Sequence, residues 1–160
     1  MIAMASVTDL LGKRGVPFES IPHETTYTSI EEARALGIAA DEVVKAVVLV
    51  TAEGHALAVV PASRRLDMRL VHDALGDKHA RLATEEELER DFPEIELGAM
   101  PPLGSLVGAR TLVDPEVLQH AEVVFAAGKR TESVKVRTAD LFRDEPHTVA
   151  PLTRHPEEEI

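Results

Sequence analysis

Lys45 stands in the run Val43-Val44-Lys45-Ala46-Val47-Val48, a single cation in an apolar, strongly β-forming stretch. Burying a lone ammonium is costly. The side chain must therefore snorkel to solvent, meet a carboxylate, or point into a polar pocket that takes an anionic ligand. A second candidate is the loop 98–104, which reads Gly98-Ala99-Met100-Pro101-Pro102-Leu103-Gly104. Its glycines let a backbone approach a ligand closely, and its free N–H groups could bind a carbonyl oxygen or an oxyanion. The same composition also suits a rigid connection between a helix and a strand. The third is Ala126-Ala127-Gly128-Lys129-Arg130. Small residues there leave room for a substrate against the backbone, or make a tight turn between two strands.

Other chemistries find little support. His23, His55, His72, His79, His120, His147 and His155 are scattered, and no pair has the spacing of a zinc-binding helix. Ser63, Ser105 and Ser133 lack the glycine context of a strained nucleophile turn. With no cysteine there is no disulfide, thiolate zinc site or cysteine nucleophile. Neither a bound metal nor a cofactor is expected, and a Ser-His-Asp triad is not expected either.

The elements that must position these residues are legible in outline. Residues 6–15 read as a helix capped by Ser6 and ended by Gly15, and residues 16–21 as a strand. Ser29 and Glu32 have capping-box spacing and open a helix that stops at Gly37. Residues 43–51 and 56–60 form the clearest hairpin, its first strand apolar on both faces except at Lys45 and therefore central. A helix is predicted over 66–75, a short strand over 78–82, and a helix from a second capping box at Thr84 and Glu87 to Asp91. Strands are predicted over 107–113, 123–127 and 133–136, with a helical turn at 115–118 and a short helix at 138–142. Residues 144–160 are polar and contain proline, and read as a tail. Helices and strands intermix without regular βαβ alternation, so the fold class is α+β, with a mixed or largely antiparallel sheet in one domain over 1–143.

Composition bounds the function. The 160 residues carry a net charge of −11, which argues against broad, non-specific nucleic-acid binding. A local basic mouth remains open, from Arg64, Arg65 and Arg69 or from Lys129 and Arg130; the same residues read equally well as solvated surface charges. Aromatics are 3%, with no Trp and one Tyr, so the core is aliphatic and no platform exists for stacking several bases. The apolar runs are far short of a membrane span, and the N-terminus lacks the pattern of a signal peptide. A soluble cytoplasmic protein is expected.

From about Val7 to Phe142 the chain resembles the YbaK/prolyl-tRNA-synthetase-associated domain, a family of aminoacyl-tRNA editing deacylases. The resemblance rests on an ordered set of pieces: His23 with Thr28 and the helix after it, Val43-Val44-Lys45, Val59-Val60-Pro61-Ala62 with Arg65-Leu66-Asp67, Arg81-Leu82-Ala83-Thr84 with Glu87-Leu88, Gly98 through Pro101 with Pro102 and Gly104, and Ala127-Gly128. It implies a central mixed, largely antiparallel sheet with surrounding helices. It also implies hydrolysis of the ester that joins a wrongly attached amino acid to the 3′-terminal adenosine of tRNA. Lys45 would then bind the phosphate or ribose of that adenosine, or orient the ester. The loop with Gly98, Pro101, Pro102 and Gly104 would shape the amino-acid pocket, and Gly128 would contact the ester carbonyl or leave room for water. His23, Thr28, Ala46 and Ala127 complete the implied binding set.

Two departures bear on the substrate. Ala46 follows the lysine where many relatives place a hydroxyl or amide, and Ala126 and Ala127 precede Gly128 where some carry serine. Implied partners are mischarged aminoacyl-tRNA and a synthetase, with the chain as monomer or homodimer. The alternatives are a non-catalytic nucleotide or aminoacyl-adenosine module that associates with a synthetase, and a small esterase or amidase acting on free aminoacyl compounds.

Overall fold

Two antiparallel strands, β2 (Val44–Thr51) and β3 (Gly54–Pro61), form the hairpin predicted from the sequence, closed by a two-residue turn between Thr51 and Gly54. The computed structural model to which they belong describes residues 6–154. The start of the N-terminus, His155 and the end of the expected tail lie outside the described residues. β3 carries a parallel neighbour, β5 (Arg110–Val113), and β5 carries another, β8 (Thr148–Val149). On the other side of β2, among the described residues, lies the two-residue β4 (Arg81–Leu82). The order in this sheet is β4-β2-β3-β5-β8. A second, antiparallel sheet has the order β1-β7-β6, from β1 (Phe18–Pro22), β6 (Glu122–Ala126) and β7 (Glu132–Arg137). The fold class is the predicted one: a single α+β domain with mixed pairing and surrounding helices. Its strands divide between two sheets, which are joined by a parallel bridge at Val43 and Val124.

Packing follows strand periodicity. Val44 and Val48 of β2 and Leu57 and Val59 of β3 face Val123, Phe125, Val134 and Val136 of the second sheet. The alternate positions Leu49, Ala56, Ala58 and Val60 face Val71 in α3 (Met68–Leu75). Because side chains alternate across a strand, both faces of this hairpin are buried and both must be apolar.

The starts of the first four helices depend on single side chains. Ser6 caps α1 (Val7–Lys13), Asp67 caps α3, and the Thr84–Glu87 box opens α4 (Glu85–Asp91) as predicted. The cap of α2 (Ser29–Leu36) is one residue earlier than expected: Thr28, extended at φ −134° and ψ 160°, accepts the Glu31 N–H while Ser29 is already helical. Two adjacent hydroxyls, each with a glutamate three residues on, made the register ambiguous. The strand expected over 107–113 begins only at Arg110, because α5 (Gly104–Val107) and Gly108 at φ +70° take up its start. The strand expected over 78–82 contracts to β4. α6 (Thr138–Arg143) follows β7, as predicted, within one residue.

Residues 144–154 do not form a tail. Glu145 is buried and accepts from Arg14 Nη1 (2.8 Å), the Ser105 N–H (2.9 Å) and the Ser105 hydroxyl (2.6 Å). β8 adds to the edge of β5, and Leu152 is fully buried. Asp114, 1% exposed, holds this segment. Its Oδ2 accepts from Leu152 N (2.9 Å), Thr153 N (3.0 Å) and Thr153 Oγ1 (2.9 Å), and its Oδ1 accepts from Glu116 N (2.9 Å). Polar composition concealed these contacts because they are made by charged and backbone groups. Replacing Asp114 by alanine leaves several buried donors without an acceptor, so Asp114→Ala is expected to lower stability by about 2–4 kcal/mol, read by urea unfolding.

Candidate functional site

The two sheets separate just past the Val43–Val124 bridge, and a cavity of about 370 Å³ occupies the gap. Its walls are the outer edge of β2 from Val44 to Val48, the N-terminus of α2 with Thr28, and Ala126 at the end of β6. Leu82, Ala83 and Leu88 close it from the β4–α4 side, and Phe92, Ile95, Gly98 and Met100 from the segment that follows α4. Most of this lining is apolar. Lys45 and Glu96 are its only titratable side chains among the described residues.

Lys45 is half-buried in this wall. No carboxylate among the described residues pairs with its ammonium, and burial pushes its pKa down from the ordinary lysine value. Of the carboxylate, solvent and pocket placements open in the sequence, no carboxylate partner is present among the described residues, and the side chain lines the cavity. Its ammonium is the one cation among the described lining residues.

Beside it the backbone offers a second polar feature. Val43 O accepts from Ala62 N (2.8 Å), so positions 43, 45 and 47 bond towards β3 and position 46 points the other way. On that outer side Val48 O accepts from Ala83 N (3.0 Å), and the bridge to Val124 occupies the strand's beginning. Ala46 lies between them with no strand beside it, so its N–H and C=O face the cavity. Residue-type reasoning noticed only the missing side-chain polarity at Ala46. The signal that could have found its backbone was the abrupt shortness of β4.

The expected site residues divide into two groups. Thr28, Lys45, Ala46 and Gly98 meet at the cavity. Gly98, at φ +83°, is required there for a packing reason too: a Cβ would overlap the Tyr27 carbonyl oxygen. His23, Pro101, Pro102, Gly104, Ala127 and Gly128 are not among the lining residues. Pro101 and Pro102 are buried in the loop. Gly104 starts α5, where a Cβ would overlap Thr111 Oγ1 and the Ala109 carbonyl. Ala127 packs at the margin of the main core. Gly128, at φ +87°, spends both backbone groups on the loop: its N–H donates to Ala99 O (3.0 Å) and its C=O accepts from Glu96 N (3.0 Å). It fastens the loop to the β6–β7 turn.

His23 lies behind the wall in a chain of buried polar groups. Its Nε2 is 2.8 Å from Ser133 Oγ, and that hydroxyl donates to the Glu32 carboxylate in a short hydrogen bond. His23 Nδ1 lies 2.7 Å from Glu24 O, which can only accept, so Nδ1 carries a proton. The three groups form a hydrogen-bonded chain from His23 through Ser133 to Glu32. Burial raises the Glu32 pKa, against the lowering effects of the Ser133 bond and the His23 charge. Among the described residues no cluster of three His, Cys, Asp or Glu side chains could hold a metal ion, and no helix is long and apolar enough to cross a membrane.

Comparison with known proteins settles the lineage. The model of the aminoacyl-tRNA editing domain matches residues 23–143, which include Lys45, the loop and Gly128. The chain belongs to the aminoacyl-tRNA editing domain family. A proline–tRNA ligase of Thermotoga neapolitana is 30% identical over 91 residues, which are 57% of this chain and 16% of the ligase. The editing domain thus matches about a sixth of that relative's length. The crystal structure of the hypothetical protein APE2540 superposes with a TM-score of 0.84 at 22% identity, over 92% of this chain and 99% of that one. A protein proposed as a trans-editing enzyme for prolyl tRNA synthetase superposes with a TM-score of 0.79 at 27% identity, over 93% and 95%.

The buried carboxylate sets a pH signature for this editing domain. A Glu32 pKa raised above its ordinary 4.5 means that the folded state holds the proton more tightly than the unfolded state. The stabilisation is complete below about pH 4.5 and is lost as pH rises through the raised value. Glu32→Gln is expected to flatten that part of the stability–pH curve, measured by urea unfolding from acid to neutral pH.

Proposed function

We propose that the chain is a trans-acting aminoacyl-tRNA deacylase that hydrolyses the ester of a mischarged amino acid. The observation that carries this reading is the unpaired Lys45 ammonium in the wall of an apolar, open cavity. The substrate has matching parts: an anionic, ribose-bearing 3′ end and an acyl group. Lys45 holds the phosphate or ribose of the terminal nucleotide. The acyl side chain lies against Leu88, Phe92, Ile95 and Met100, which favours apolar over charged amino acids.

The reaction is addition of water to the ester carbonyl carbon, followed by cleavage of the bond to the ribose oxygen. That oxygen takes a proton, and the products are a free amino acid and a tRNA with a free terminal hydroxyl. Charge develops on the carbonyl oxygen, and the Ala46 N–H that faces the cavity is placed to stabilise it. The ester is already activated, so positioning and one or two backbone donors supply much of the acceleration. The scarcity of titratable groups in the wall assigns proton movement to the substrate's own hydroxyl or amine. Lys45 binds and orients; it is not a nucleophile. Gly98 lets the loop close on the site, and Gly128 keeps that loop in place.

The match to a proline–tRNA ligase and the likeness to a protein proposed as a trans-editing enzyme for prolyl tRNA synthetase support proline-system tRNA as the first substrate to try. A panel of mischarged tRNAs, each incubated with saturating protein, tests the reading. Turnover of at least one member is expected, and Lys45→Ala should reduce it by at least about 100-fold. Saturable binding without turnover of any member would overturn it in favour of a non-catalytic module.

Charge gives an independent check. Substrate binding is full while Lys45 is protonated and is lost as pH rises through its lowered pKa, before the ordinary 10.5 is reached. Wild-type KM should therefore climb in the alkaline range, whereas Lys45→Arg, which stays protonated, should show a flatter profile.

A further inference from the structure

Outside the cavity, the chain's single tyrosine stands at the rim, 59% exposed as a residue. Tyr27 is adjacent to Thr28 in sequence and touches Gly98 through its carbonyl, and both of those residues line the cavity. Arg130 lies over the ring, with its guanidinium carbon 4.9 Å from the ring centroid. Since one face is covered and most of the residue is exposed, the other face is open to solvent.

The arginine is held from several directions. Its Nε donates to Leu97 O (2.9 Å), and its backbone N–H donates to Glu96 Oε1 (2.9 Å). Its carbonyl accepts from Thr26 N (2.9 Å). These bonds pin the stacked pair to the loop that closes the cavity. No carboxylate pairs with the Arg130 guanidinium among the described residues, and the exposed Lys129 adds a second positive charge. A flat aromatic face, a preorganised guanidinium and local positive charge on an acidic protein are what a single-stranded nucleotide needs: a base to stack and a phosphate to pair.

We propose that Tyr27 and Arg130 form a stacking platform at the rim of the cavity that takes one base of the substrate's single-stranded 3′ end, with Arg130 beside its phosphate. The proposal rests on the deacylase reading for the identity of the RNA but not for the stacking itself. One platform takes one base, consistent with a chain too poor in aromatics to bind an extended single strand. It adds to the grip of Lys45 inside the cavity without requiring a broad basic surface.

The chain contains a probe for this site. With no Trp and one Tyr, its aromatic emission above the phenylalanine background comes from Tyr27 alone. The probe ligand is an RNA trimer, cytidine-cytidine-adenosine, and the control is ribose 5-phosphate, which has the charge without a base. The trimer is expected to quench Tyr27 emission saturably, and ribose 5-phosphate to leave it unchanged. By anisotropy of labelled trimer, Tyr27→Ala should weaken affinity at least about fivefold, and Tyr27→Phe should restore it to within about twofold. In deacylation the Tyr27→Ala loss should fall in KM rather than in kcat. Thermal melting confirms that both variants fold. Unchanged emission at trimer concentrations that saturate binding, or equal affinity of Tyr27→Ala and wild type, would overturn the platform. Quenching by the trimer without turnover of any mischarged tRNA would uphold the platform and remove the hydrolase. Turnover without quenching would do the reverse.

Discussion

Everything at the site depends on two sheets that touch at Val43 and Val124 and then part. β2 pairs with β3 and β6 with β7 along their lengths, and past the bridge no further pairing between β2 and β6 follows among the described residues. The space left between them is not filled. β4 is two residues long, and four segments each place one alanine among the lining residues: Ala46, Ala62, Ala83 and Ala126. Bulky residues at those positions would let the core extend across and close it. The cavity is therefore a consequence of topology kept open by alanine, and the unpaired edge of β2 is its polar lining.

Two buried charges on opposite sides of this wall are handled differently. Glu32 lies behind it, hydrogen-bonded to Ser133, which in turn contacts His23, and burial favours its neutral, protonated form. Lys45 lies in front with no such partner. Removing an ammonium from water is tolerable only because the cavity is open enough to keep part of its hydration. That arrangement costs stability relative to a lysine held fully in water.

Lys45 was legible because a lysine among valines breaks the pattern of its strand. The α+β class, the hairpin and the Thr84–Glu87 cap were legible because each is carried by local periodicity or by residues three apart. What could not be read has a common cause. The role of Gly104 depends on Ala109 and Thr111, that of Gly128 on Ala99 and Glu96, and the burial of Glu145 on Arg14 and Ser105. The Ala46 backbone is available because of strands that are absent beside it. Such facts belong to the tertiary arrangement, and a polar sequence such as 144–154 conceals them well. The same holds for Tyr27, whose value lies in the arginine above it rather than in its neighbours along the chain.

The pairing of β1 with β7 joins Phe18 to Val136, and Arg14 reaches Glu145 across 131 positions. The smaller sheet thus has its first strand near one end of the chain and its second near the other. Loop closure on that scale must precede any gain from the contacts it permits, which slows folding relative to a chain of local pairings. During synthesis the hairpin of β2 and β3 can form early, but its apolar face has no cover until β6 and β7 emerge. Until then the edge of β2 that later lines the cavity is an apolar strand without a partner, and the charge of Lys45 makes it a weaker template for misassembly than an unbroken run of valines would be.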